Sequence, residues 1–283
     1  MRRIQGRAVV SLAKSVRKRW RARVEAESRR RGERFAVISR RPLTTPLPSE
    51  DLIFLVAGHR DANLFDHDRQ TAVPNVLLPR LAECGFEIPH ARSILEFGCG
   101  CGRLLAGWEH VLPPGRIFGV DVNDQLIRYV QESLPFVTAM TTGFTPPLPF
   151  KEWRFDLVYN VSVFTHLPLW NAMMWAGEML RLIKPGGYFV TTYHGDYFKP
   201  VLRGLDPTHS LRSALARDGF VAYAHKGEAD APPGSNLYTT FQTTKFTQSL
   251  FRGFKLIKNY RSARDGYQPF SGHQDMAVFR REL

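Results

Sequence analysis

The 283-residue chain contains only three cysteines, Cys84, Cys99 and Cys101. That is too few for a disulfide framework and points to a reducing, cytoplasmic setting. No apolar run reaches about 18 residues, so no segment reads as a membrane-spanning helix. AVVSLA is too short for a secretory core and is soon followed by Lys14. The Arg2-Arg3 pair lacks the apolar stretch of a twin-arginine signal. Acidic residues are scarce at the start: residues 1–41 hold 15 Lys/Arg against 3 Asp/Glu, or +12 of the total +13. The remainder carries +1, so the basic pI describes a tail. That weakens the case for a nucleic-acid enzyme, whose basic surface belongs on the body.

Along that tail Ile4, Ala8, Leu12, Val16, Trp20 and Val24 recur at helical spacing among arginines. A solvated tail is one reading. A basic amphipathic helix in peripheral contact with an anionic membrane is another. Nucleic-acid attachment and a removed transit peptide are further alternatives. The proline-bearing residues 42–50 read as a linker to a domain over 51–283.

Residues 51–89 follow a helical pattern. From Ser93 onward apolar runs (SILEF, GRIFGVDV, FDLVYNVSVF, GGYFVTTYH) alternate with segments of period 3.6 (RLLAGWEHVL, NDQLIRYVQESL, LWNAMMWAGEMLRLIKPGG). Such alternation predicts an α/β fold with a mostly parallel sheet covered by helices on both faces. FKLIKNYRSA and DMAVFRREL have no helix between them and should pair antiparallel. The residues from about 195 to 237 exceed what a plain connection needs and read as a substrate-loop insertion.

The run ILEFGCGCGRL (94–104) sends a strand into a glycine turn and then a helix, a geometry that suits a phosphate or nucleotide. Glycines stand at 98, 100 and 102, but the sixth position of a dinucleotide fingerprint, 103, is Arg. No Gly-Lys-Ser/Thr follows, so it is not a P-loop. Cys99 and Cys101 lack a second Cys/His pair at ligand spacing, so no metal is expected.

With its acid two residues before G-x-G-x-G, the stretch Glu96-x-Gly98-x-Gly100-x-Gly102 resembles the first motif of class I S-adenosylmethionine-dependent methyltransferases. Asp121 ends the second strand, FDLVYNVSVF is similar to the family's fourth-strand motif, and Ile183-Lys184-Pro185-Gly186-Gly187 precedes the fifth strand. The resemblance implies a doubly wound, Rossmann-like sheet of order 3-2-1-4-5-7-6, with S-adenosylmethionine as cofactor. It implies that Gly98 and Gly100 pass beneath the methionine portion and that Glu96 orients its ammonium. Asp121 would bind the ribose hydroxyls, Val122 the adenine face, and Thr142 and Gly143 the adenine edge. Cys99, Gly102, Arg103 and Asn160 complete the implied cofactor set. FGCGCGR, SVFTHLP, KPGG and GHQDMAVFRR together resemble a bacterial group associated with glycan and surface-polysaccharide assembly.

For the acceptor, His194 and His166 are the candidate catalytic residues, with Tyr193, Asp196 and His273 beside substrate. The D/N-P-P-Y/F signature of amino-methylating nucleic-acid enzymes is absent; the fourth strand ends Tyr159-Asn160-Val161-Ser162. A small-molecule or glycan-type acceptor is the expectation. The alternatives are an RNA or protein acceptor bound through the basic tail, and a non-catalytic scaffold.

Overall fold

A computed structural model describes residues 42–195, 210–224, 238–262 and 274–283. The chain divides into two units, Met1–Arg40 and Arg41–Leu283, and the readings of residues 1–41 lie outside the described residues. Residues 42–49 contain neither helix nor strand. They are tied to the domain: Thr44 donates its N–H to Glu109, Arg69 donates to Thr45, and Tyr129 donates to the Pro46 carbonyl.

Helix α1 (Glu50–Ala57) starts at Ser49, whose hydroxyl accepts from Leu52 N–H, and ends at Gly58 with φ +72°. This pairs a side-chain N-cap with a left-handed C-cap. Helix α2 (Ala62–Thr71) is capped likewise by Asp61, and a wider turn over Ala72–Leu77 leads into α3 (Leu78–Glu83). The alternating part then supplies β1 (Ile94–Phe97), β2 (Ile117–Asp121), α4 (Asp124–Ser133), β3 (Val137–Thr141) and β4 (Phe155–Asn160). Helix α5 (Leu169–Leu182) and β5 (Ile183–Tyr193) complete the parallel half. After α6 (Ser210–Asp218), β6 (Phe220–Ala224), β7 (Tyr238–Gln242) and α7 (Thr244–Leu250) come β8 (Phe254–Tyr260) and β9 (Asp275–Arg281).

The main sheet runs β3-β2-β1-β4-β5-β9-β8. Its first five strands are parallel, and β9 lies antiparallel to both β5 and β8. This is the expected order. Alternation along β1 divides the core: Ile94 faces a cluster with Trp108, Val130 and Leu77, while Leu95 and Phe97 face one with Trp175, Met179 and Phe251. Helices therefore cover both faces. A third cluster, of Ile53, Phe65, Cys101 and Leu126, seats α1 and α2 against the glycine turn. Each such fully buried large side chain contributes about 1.5–3 kcal/mol.

Two expectations need correction. RLLAGWEHVL forms only one 3₁₀ turn, Leu105–Trp108. Gly107 lies so close to the Ala72–Leu77 turn that a Cβ there would stand 2.9 Å from Val73 Cβ, and tertiary packing overrides the periodicity. The insertion also contains more than loop. β6 and β7 form a separate two-stranded antiparallel sheet, in register from Phe220 opposite Gln242 to Ala224 opposite Tyr238.

Candidate functional site

At the carboxyl end of β1 the chain turns on glycines with φ of +75° (Gly98), +56° (Gly100) and +77° (Gly102), a region that L side chains avoid. Space is as tight as conformation. A Cβ on Gly98 would lie 2.3 Å from Val163 Cγ2, and one on Gly100 would lie 2.8 Å from Val56 Cγ2 of α1. Gly102 packs on Leu134 and Val130. The amides of Gly98 and Cys99 both donate to the Val120 carbonyl, which fastens the turn to β2.

Asp121 closes the arrangement from β2. One carboxylate oxygen accepts from Gly100 N–H at 2.8 Å and the other from Asn123 N–H at 2.9 Å. The helix cap itself is Asn123, which accepts from Gln125 and Leu126. Thr142 N–H donates to the Asp121 carbonyl at 2.9 Å, so the segment after β3 is held beside the same residue. Burial raises the Asp121 pKa, against the backbone donors that lower it.

Glu96 is buried at 3% exposure. Tyr159 donates to its carboxylate at 2.9 Å, and Trp108 Nε1 donates to the Tyr159 hydroxyl at 2.9 Å. Burial pushes the Glu96 pKa up to about 8, with Tyr159 and the Arg103 charge opposing. Arg103 is itself buried, 3.5 Å from Asp68, with Nε unpartnered among the described residues. Burial pushes the Cys101 thiol up to about 12 and the Cys99 thiol well above its ordinary value. Cys99 Sγ packs beside Gly119 in the core, so only its backbone belongs to the turn. Among the described residues no group of His, Cys, Asp and Glu could hold a metal ion.

The carboxyl ends of β4 and β5 form the neighbouring half. Ser162 has φ +65° without being glycine, a conformation that costs on the order of 1–3 kcal/mol. Its amide donates to Thr192 Oγ1 at 2.8 Å, Thr192 Oγ1 donates to Gln274 Oε1 at 2.6 Å, and Gln274 Nε2 donates to Ser162 Oγ at 2.7 Å. The knot joins β4, β5 and the start of β9. Asn160 is fully buried; its Oδ1 accepts from Thr191, while Nδ2 has no partner among the described residues.

His166 and His194 stand beside this knot, both partly buried. His166 Nδ1 lies 2.7 Å from the Tyr238 carbonyl, and His194 Nδ1 lies 2.9 Å from the Thr240 carbonyl. A carbonyl only accepts, so each ring carries its proton on Nδ1. Burial and the neighbouring His166 push the His194 pKa down to about 3, and the ring is neutral around pH 7. Tyr193 corrects the expectation for it. Alternation along β5 turns it into the core with Phe189, where its hydroxyl meets Thr244 and Asn259. Asp196 and His273 lie outside the described residues.

Residues 94–187 match the family model described as "Methyltransferase domain". Among curated proteins the chain is 26% identical over 163 residues to a fatty-acid O-methyltransferase of Mycolicibacterium smegmatis, covering 53% of this chain and 55% of that one. It is 30% identical over 148 residues to the 2-methyl-6-phytyl-1,4-hydroquinone methyltransferase of Synechocystis, covering 47% and 45%. The chain thus spans about half the length of these relatives. Its fold is similar to solved S-adenosylmethionine-dependent methyltransferases. One from Methanosarcina mazei gives a TM-score of 0.50 at 17% identity, covering 68% of this chain and 92% of the other. One from Mesorhizobium loti gives 0.50 at 17%, covering 72% and 96%.

S-adenosylmethionine is the cofactor named for those solved structures, and the residues present here fit it. Glu96 is a carboxyl whose charged form is disfavoured by burial, and a ligand ammonium would offset that. Asp121 keeps lone pairs beyond the two that its backbone donors use. Asn160 Nδ2 is a buried donor in search of an acceptor. Sequence reasoning missed Val56 and Val163, which flank the turn, and the Ser162–Thr192–Gln274 knot. The only local signal for Val56 was the helical pattern upstream of the motif.

Proposed function

We propose that this chain transfers a methyl group from S-adenosylmethionine to a small-molecule or glycan-type acceptor. The observation that carries the reading is the side-by-side arrangement of two sites on one sheet. The glycine turn and Asp121 end β1 and β2, and the two Nδ1–H histidines follow the adjoining β4 and β5. Ligands of open α/β sheets bind in the crevice at such carboxyl ends.

Bound S-adenosylmethionine supplies a methyl group on a sulfonium, which is its own leaving group. In this reading Gly98 and Gly100 bring the backbone close to the methionine portion, and Glu96 holds its ammonium. Asp121 takes the ribose hydroxyls, Val122 the adenine face, and Thr142 and Gly143 the adenine edge; Asn160 donates into the cofactor's space, with Gly102 and Arg103 behind the turn. Holding acceptor and methyl group in line accounts for about 7–11 kcal/mol of the barrier. His194 or His166 takes the acceptor's proton on Nε2, worth about 10²–10⁴-fold.

The printed names of the relatives, a fatty-acid and a hydroquinone methyltransferase, support a small or lipidic acceptor; the bacterial motif group supports a glycan. Residues 1–41, at +12, would bring the domain to an anionic membrane. The same charge favours a second reading, an RNA acceptor. RNA binding and activity that fall together steeply with salt would support it.

Tritium-labelled S-adenosylmethionine offered with free sugars and lipid-linked glycans is the direct test. Label should enter one acceptor class and be lost with His194→Ala. Cofactor binding without label in any acceptor would leave a scaffold.

A further inference from the structure

Both histidines owe their state to one strand from outside the main sheet. Tyr238, Thr240 and Gln242 of β7 turn backbone groups away from β6 and toward the loops after β4 and β5. Tyr238 O meets His166 Nδ1, Thr240 O meets His194 Nδ1, and Gln242 N–H donates to the His194 carbonyl at 3.0 Å. Thr240 is the residue common to both loops. Its N–H donates to the Thr165 carbonyl at 2.8 Å, and its hydroxyl donates to the Phe164 carbonyl at 2.8 Å. Its side chain is buried, with the residue 1% exposed. The next residue, Phe241, packs on the His194 ring with centroids 5.5 Å apart.

We propose that Thr240 is a positioning residue that fixes β7 across both loops, holding His166 and His194 as a matched pair of Nδ1–H imidazoles for a hydroxyl acceptor. This rests on the methyl-transfer reading and extends it to the acceptor's chemistry. An amine or thiolate is nucleophilic without a base, whereas a hydroxyl gains from losing its proton as it attacks. The Nδ1–H tautomer keeps a lone pair on Nε2, the atom to which a hydroxyl's proton can pass. In the step, the acceptor oxygen forms a bond to the methyl carbon as its proton passes to Nε2. The sulfur–methyl bond breaks, its electron pair returns to sulfur, and the sulfonium becomes a neutral thioether. The imidazolium then returns its proton to water.

The pair is a product of tertiary assembly. Residues 166 and 238 are 72 apart in sequence, and 194 and 240 are 46 apart. Without the Thr240 hydroxyl, the Phe164 carbonyl loses a buried donor. β7 then loosens on the loop that carries His166.

The test uses the full chain without acceptor. Long-range ¹H–¹⁵N spectra of the imidazoles report the tautomer of each ring, assigned with His166→Gln and His194→Gln. The wild type should show both rings as Nδ1–H. Thr240→Val should convert at least one ring to a mixture, and Thr240→Ser should restore the wild-type pattern. Calorimetry with S-adenosylmethionine should give the same affinity for all three. A wild-type spectrum with either ring as Nε2–H overturns the proposal, as does a Thr240→Val spectrum identical to wild type. If Thr240→Val fails to fold, the wild-type and Thr240→Ser spectra decide by the same criteria. Failure of the wild type to bind S-adenosylmethionine strikes the methyl-transfer reading and leaves the tautomer result standing separately.

Discussion

Two adjoining ends of one sheet are built by different means. The carboxyl ends of β1 and β2 rely on backbone: three left-handed glycines, amides donating to Val120, and one carboxylate that binds Gly100 and Asn123. The carboxyl ends of β4 and β5 rely on side chains from distant segments: Ser162, Thr192 and Gln274 in one knot, with His166 and His194 tied to β7. The path of the first is fixed largely by main-chain geometry. The second can change its chemistry by exchanging an inserted strand. The proposed function puts the cofactor on the first and the acceptor on the second.

Substitutions on the two sides should therefore separate binding from turnover. The largest effect falls on the β4–β5 side. His194→Ala should lower turnover by about 10²–10⁴-fold while calorimetry gives unchanged S-adenosylmethionine affinity. A parallel loss of both would erase the division. On the β1 side, Gly98→Ala places a Cβ at φ +75° and 2.3 Å from Val163. Backbone strain alone costs about 1–3 kcal/mol, read as a lower urea midpoint together with weakened cofactor binding. Turnover at saturating cofactor should change less than affinity.

A further effect is a pH dependence. Glu96 is held up at about 8 against an ordinary 4.5, so the folded state keeps a proton that the unfolded state releases. Its contribution to stability is fully present below about 4.5 and is lost as pH rises through about 8. Glu96→Gln should remove that slope, so the urea midpoints of the two proteins diverge between pH 5 and pH 8 in the variant's favour. The same charge argument has S-adenosylmethionine binding release a proton near neutral pH. Midpoints that stay parallel across the range would show that Glu96 is already ionised in the free protein.

The same division explains what the sequence made legible. Glu96, the glycines and Asp121 lie close along the chain, and their requirements, left-handed turns and a strand-end carboxylate, are written in residue type. The mostly parallel sheet followed from alternation of apolar runs with helical periods, and its strand order from the family resemblance. β3 (VTAMT) gave no run to read because it is a partly exposed edge strand. The turn after β1 misled because Gly107 answers to Val73 from another segment. Tyr193 was placed beside substrate by its neighbours in sequence, yet strand alternation points it the other way. The His166–Tyr238 and Gln274–Ser162 pairs span 72 and 112 residues, and no local pattern encodes such a meeting. Only the identity of the two histidines was visible; the strand that sets their tautomer was not.

In the proposed function the turn after β1 holds S-adenosylmethionine, with Asp121 as its fixed point. Calorimetric titration of S-adenosylmethionine into the wild type and into Asp121→Ala tests it most directly. One-site, saturable binding by the wild type, lost in the variant while circular dichroism shows it still folded, is the predicted result. Equal affinity in the two proteins, or no binding by the wild type, would contradict it.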